Sequence, residues 1–105
     1  MEEAKDLDMI VMEIIVHAGN ARSLAIEALR FARTGDFVQA DKKLKECHEE
    51  LAEAHHAQTD LLVDESNGNP TPVSLIMVHA QDHLMNALTV KDLVSEMIAI
   101  LKEKE

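Results

Sequence analysis

The sequence predicts an all-α protein: an up-down-up three-helix bundle that assembles as a homotrimer through its third helix. Three observations carry this. Apolar residues make up 47% of the chain but are almost all Ala, Leu, Ile, Val and Met, with Phe31 and Phe37 the only aromatics and no Trp or Tyr. That composition favours helices over sheets. Apolar positions recur at spacings of three and four along three long segments. Only one stretch, Ser66 to Pro72, is dense in turn formers. A chain of 105 residues accommodates one core, so residues 1–105 are read as a single domain.

The first helix is expected over about 3–33, from Leu7, Ile10, Val11, Ile14, Ile15, Ala18, Ala21, Leu24, Ala25, Ala28 and Leu29, with Thr34-Gly35 as its stop. Gly19-Asn20 interrupts the pattern, so either the helix bends there or another backbone comes close. Asp36 is expected to cap the second helix, over 37–65, in a reciprocal capping box with Gln39. Thr71 followed by Pro72 suits the N-cap and first position of the third, over 73–104. Three helices of this length, each about 45 Å long, make an elongated bundle.

The third helix carries two stripes. One collects Val73, Ile76, Met77, Ala80, Leu84, Ala87, Leu88, Val94 and Ile98 and should pack on the other helices. A second runs Leu75, His79, Asp82, Asn86, Val90, Leu93, Met97, Ile100 in steps of three and four, a coiled-coil-like seam. A monomeric bundle buries only one face of each helix. The second stripe therefore asks for a partner, and the same helix of other subunits supplies one, in a parallel trimer.

Composition narrows the function. A formal charge of -10 opposes binding to phosphate backbones and anionic lipid surfaces. Two Phe give little flat surface on which to hold a sugar or nucleobase. No run approaches eighteen apolar residues, and Met1-Glu2-Glu3-Ala4-Lys5-Asp6 lacks the basic-then-apolar order of a signal, so a soluble cytoplasmic protein is expected. Cys47, the lone cysteine, is expected to be half-buried on a helix.

The polar half of the seam holds the chemistry. His79, Asp82 and His83 at i, i+3 and i+4 share one helical surface, with Asn86 a turn further on. A neutral imidazole can take a phosphoryl group in line on a free ring nitrogen. The i,i+4 histidine pair also has the spacing of helical metal sites, which makes a non-catalytic metal-binding oligomer the alternative. The plainest alternative is a set of interface residues satisfied by hydrogen bonds. A parallel trimer would gather three Asp82 carboxylates at its axis, a conflict that a hard cation such as Mg²⁺ or shared protons would resolve. Antiparallel counting puts His79 level with Thr59 and His83 level with His55, so the second helix is expected to bring His55, Gln58 and Thr59 near the cluster. Exposure or ordinary packing accounts for His17, His48 and His56. Glu53 to His56 has the Glu-x-x-His spacing of di-iron bundles, but those need two such motifs and two further Glu.

His79-Ala80-Gln81-Asp82-His83-Leu84-Met85 resembles the signature of the lactose/cellobiose-type enzyme IIA of the bacterial phosphoenolpyruvate-dependent sugar phosphotransferase system. Gly19-Asn20-Ala21-Arg22-Ser23, Gly35-Asp36-Phe37 and Glu53-Ala54-His55-His56-Ala57-Gln58-Thr59 resemble its other segments, in the same order. The resemblance implies a homotrimeric phosphocarrier that accepts a phosphoryl group from phosphorylated HPr and passes it to a cysteine of the cognate enzyme IIB. The sugar is phosphorylated later, during uptake, and direct sugar contact is not expected. By the same resemblance His79 is the phosphorylated residue, Asp82 holds a divalent cation at the trimer axis, and His83 is a nearby histidine that is not the usual acceptor. Gln81 and His83, with His55 and Gln58 of the second helix, are the expected supporting residues. Asn86 to Asp92 looks closer to the cellobiose, lichenan or chitobiose branch than to the lactose one. A two-component histidine-phosphotransfer module, which shows lysine and glycine after its histidine, does not fit Gln81-Asp82-His83.

Overall fold

The structure is a computed structural model that describes residues 7–105, as three helices: α1 (Leu7–Arg33), α2 (Phe37–Ser66) and α3 (Leu75–Glu103). The expected start of the first helix at residues 3–6 lies outside the described residues. The bundle is elongated, 55 × 26 × 20 Å. Its core is one continuous cluster from Ile10, Val11, Ile14 and Ala18 of α1 through Leu51, Ala54 and Leu61 of α2 to Met77, Leu84, Val94 and Ile98 of α3. Ala18, Ala21, Ala25 and Ala28 are fully buried. A face of methyl groups lets neighbouring backbones come close, and α1 packs broadly on both other helices while α2 and α3 touch sparsely. By length and mean hydropathy α1 could also cross a membrane, but this alanine-rich side of it forms the bundle core.

The same device makes both turns. Gly35, at φ +84°, donates to Ala32 O while Asp36 N–H donates to Phe31 O, which closes α1 in a Schellman motif. Gly68, at φ +90°, donates to Glu65 O and Asn69 to Asp64 O, closing α2 likewise. Asp36 then starts α2, its carboxylate accepting from Gln39 N at 3.1 Å. The reciprocal arm of the expected capping box is not made, because the Asp36 N–H is already bonded to Phe31 O. Lys102 of α3 ties its end to the start of α2, 2.9 Å from Asp41 and over the Phe37 ring.

Three other expectations are corrected, and one of the two alternatives at Gly19 is removed. The cap of α3 is Ser74, whose Oγ accepts from Met77 N at 3.2 Å, not Thr71, so Pro72 and Val73 precede the helix. Val73, ahead of the helix, is 85% exposed and Ile76, in its first turn, 47%, rather than core. Cys47 is fully buried, and burial pushes its thiol above the ordinary value, partly offset by Lys91. Gly19 lies within a continuous α1 with open space around it, so no backbone approaches closely there.

Candidate functional site

The site is built on the first turns of α3. With Ser74 fixing the helix start, side chains fall every 100° or so around the axis. Met77, Ala80 and Leu84 turn into the core, and His79 and Asp82 are left exposed on another side with His83 half-buried beside them. His79 Nε2 lies 3.1 Å from His83 Nε2, a hydrogen bond in which one ring donates and the other accepts, and the rings meet edge to face with centroids 4.5 Å apart. Asp82 Oδ1 accepts from Asn86 Nδ2 at 3.2 Å. The expected i,i+4 neighbours therefore pair as His79 with His83 and Asp82 with Asn86.

The seam continues past this layer through Leu93, Met97 and Ile100, all exposed in the single chain. An exposed imidazole beside a second ring nitrogen can act as nucleophile, with its neighbour holding the ring's orientation. For a metal, one chain offers a single carboxylate at the seam, and among the described residues no group of three His, Cys, Asp or Glu could hold an ion. The donor set fits a hard cation only if several copies of Asp82 converge.

The second helix meets α3 on the side away from His79. Gln81 lines a hollow of about 170 Å³ together with Gln58, Leu61, Leu62 and Met77. It lies two positions, about 160° the short way round the helix, from His79. His55 and Thr59 line the next groove with Leu88 and Lys91, and the Thr59 hydroxyl donates to His55 O. The facing expected from antiparallel counting is not found. His55 and Gln58 do not reach His79 within one chain, because α2 packs against the Gln81–Leu88 side of α3. Gln58 Oε1 is buried there without a partner among the described residues, and Gln81 donates only weakly, at 3.7 Å, to Met77 Sδ.

Sequence reasoning missed a lock between α1 and α2. Glu50 accepts from Asn20 Nδ2 at 2.6 Å, and its other oxygen lies 3.0 Å from His17 Nδ1. Burial alone would raise the Glu50 carboxyl, but the Asn20 and His17 contacts outweigh it and hold it below the ordinary value. A polar residue after the glycine in the α1 pattern, level with a glutamate of α2, was the available signal.

Known proteins agree with this architecture. The family model for the phosphotransferase system lactose/cellobiose-specific IIA subunit matches residues 9–102. The lichenan-specific phosphotransferase enzyme IIA component of Bacillus subtilis is 48% identical over 94% of this chain and 90% of its own length. The cellobiose-specific enzyme IIA of Bacillus anthracis superposes with a TM-score of 0.90 at 44% identity, covering 96% of this chain and 93% of that one. The chitobiose IIA of Escherichia coli, solved in complex with HPr, gives 0.81 at 38% identity over 95% and 97% of the two chains. With the match spanning all three helices, the chain belongs to the lactose/cellobiose-specific IIA family and is a component of the phosphotransferase system.

Proposed function

We propose that the protein is a phosphohistidine relay in which His79 accepts the phosphoryl group of phosphorylated HPr and yields it to a cysteine of enzyme IIB. The observation that carries this reading is His79 itself, an exposed imidazole held by His83 at the start of α3, in a chain of this family. On acceptance the donor's P–N bond breaks as a His79 ring nitrogen bonds phosphorus from the opposite side; on delivery the His79 N–P bond breaks as the enzyme IIB cysteine sulfur bonds phosphorus, and the chain's part is to position that nitrogen. A relay partner must also leave, which suits docking governed by the charge of an acidic protein and weakened by salt.

The working unit in this reading is a parallel homotrimer along the exposed seam of Leu75, Leu93, Met97 and Ile100. Three Asp82 carboxylates then face one axis, where Mg²⁺ or another divalent cation would relieve their repulsion. The relatives named for lichenan, cellobiose and chitobiose support a cytoplasmic role in uptake of a β-linked disaccharide, which this chain need not touch.

Incubation with phosphorylated HPr tests the relay. The wild-type chain is expected to gain acid-labile phosphate and His79→Ala to gain none while keeping its assembly. If His79→Ala is labelled at the wild-type rate, the acceptor is another residue. If instead it loses its assembly, the cluster serves oligomerisation, as in a non-catalytic metal-binding oligomer.

A further inference from the structure

The groove between α2 and α3 differs in charge from the rest of the surface. This chain has a net charge of -10, and three of its surface hollows carry carboxylates: Glu27, Glu46, Glu49 and Glu50 in one, Asp8 and Glu13 in another, Glu65 in the third. A fourth hollow, of about 400 Å³ between α2 and α3, has none in its lining. The side chains there that can carry charge are Lys91 of α3 and His48, His55 and His56 of α2, and each carries it as a cation.

Local helix geometry gives this hollow the form of a trench. His48, Ala52, His55 and Thr59 follow at spacings of four, three and four, so they make one line along the edge of α2. Ala52 leaves a gap in the middle of that line, and Leu51 with Leu88 of α3 supplies an apolar floor. The sparse contact between α2 and α3 leaves the trench open. Burial raises the Cys47 thiol and Lys91 partly offsets it, so the Lys91 ammonium belongs to the His48 end. At the other end stand the His55 imidazole and the Thr59 hydroxyl, whose proton is given to His55 O and whose oxygen is left to accept. Asp92 is the competitor at the Lys91 end, 2.8 Å from the ammonium and 72% exposed.

We propose that this trench binds a phosphate monoester with a small hydroxylated body. Its phosphate lies at Lys91 and His48, and its body runs over Leu51, Ala52 and Leu88 towards His55 and Thr59. Separate N–H donors arriving from two helices suit a tetrahedral anion with several oxygens. A planar carboxylate is better met by the fork of an arginine, and none lines the trench. The site lies on the side of α3 turned away from His79, so it shares no atom with the phosphoryl acceptor and stands independently of the relay reading.

NMR titration of the assembled protein with glycerol phosphate, followed at the histidine rings, tests the site. The rings of His48 and His55 should shift saturably, with a dissociation constant on the order of 1 mM, while His79 is unmoved. Lys91→Gln is expected to weaken binding about fivefold or more, and Asp92→Asn, at an exposed position, to tighten it roughly two- to threefold by releasing the ammonium. Sodium chloride at matched ionic strength should leave both rings in place. The absence of saturable shifts up to about 10 mM would overturn the site, as would equal affinities in wild type and both variants. Shifts at His79 and His83 in place of His48 and His55 would overturn it too, by putting the phosphate at the acceptor. An equal response to sodium sulfate would mean an adventitious ion only, with no site for a monoester.

Discussion

His83 Nε2 stands 3.1 Å from His79 Nε2, so two imidazoles one helical turn apart hold each other by a single hydrogen bond. The exposed ring of His79 would otherwise rotate about two side-chain torsions, and this contact restricts it. His83→Ala should leave phosphorylation on His79 but slow it, on the order of tenfold or more, by loosening the nucleophile. Rapid-quench labelling with phosphorylated HPr measures this, and an unchanged rate would remove His83 from the site.

Asp82 is exposed in the single chain and, among the described residues, hydrogen-bonded only to Asn86. If three copies meet at an axis, Asp82→Leu should abolish divalent-cation binding and keep or strengthen the trimer, because buried charge repulsion is replaced by apolar contact. Sedimentation and metal analysis of the same sample read both effects. Monomeric Asp82→Leu would contradict an axial position.

Ser74 is the cap on which the helix carrying His79 begins, through its bond from Met77 N. Ser74→Ala should cost about 1 kcal/mol and raise hydrogen exchange over the first turn of α3, leaving α1 and α2 unaffected. Unaltered exchange from Leu75 to Val78 would argue against this cap.

The Glu50 carboxyl is held below its ordinary value by Asn20 and His17 against the opposing effect of burial. A lowered folded-state value means the stabilisation is fully present above the unfolded carboxylate range, near pH 4.3, and is lost as pH falls through the folded value. Glu50→Gln should therefore lower Tm at pH 7, by roughly 4 °C for about 1 kcal/mol, with the gap closing at lower pH. A gap that stays constant down to pH 3 would assign the effect to packing.

Much of the fold was legible because it depends on local chemistry. Gly35 and Asp36 announce a helix end and a helix start, and the structure uses them so, with one N–H serving the first helix and one carboxylate the second. The start of α3 was less legible, since Thr71 and Ser74 are both good caps and sequence offers no means of choosing between them. Val73 and Ile76 read as core on the wheel, yet Val73 precedes α3, which begins at Leu75, and Ile76 in its first turn is left half-exposed beside buried Met77.

The sequence by itself determined three helices, their approximate limits, the shared surface of His79, Asp82 and His83, and membership of a family whose match spans nearly the whole chain. Periodicity suffices for these because it states which residues share a side of one helix. Which neighbour each side meets was decided by tertiary structure alone. The alanine face of α1 draws both other helices onto itself, α2 meets α3 on its Gln81–Leu88 side, and His79 is left facing away from His55.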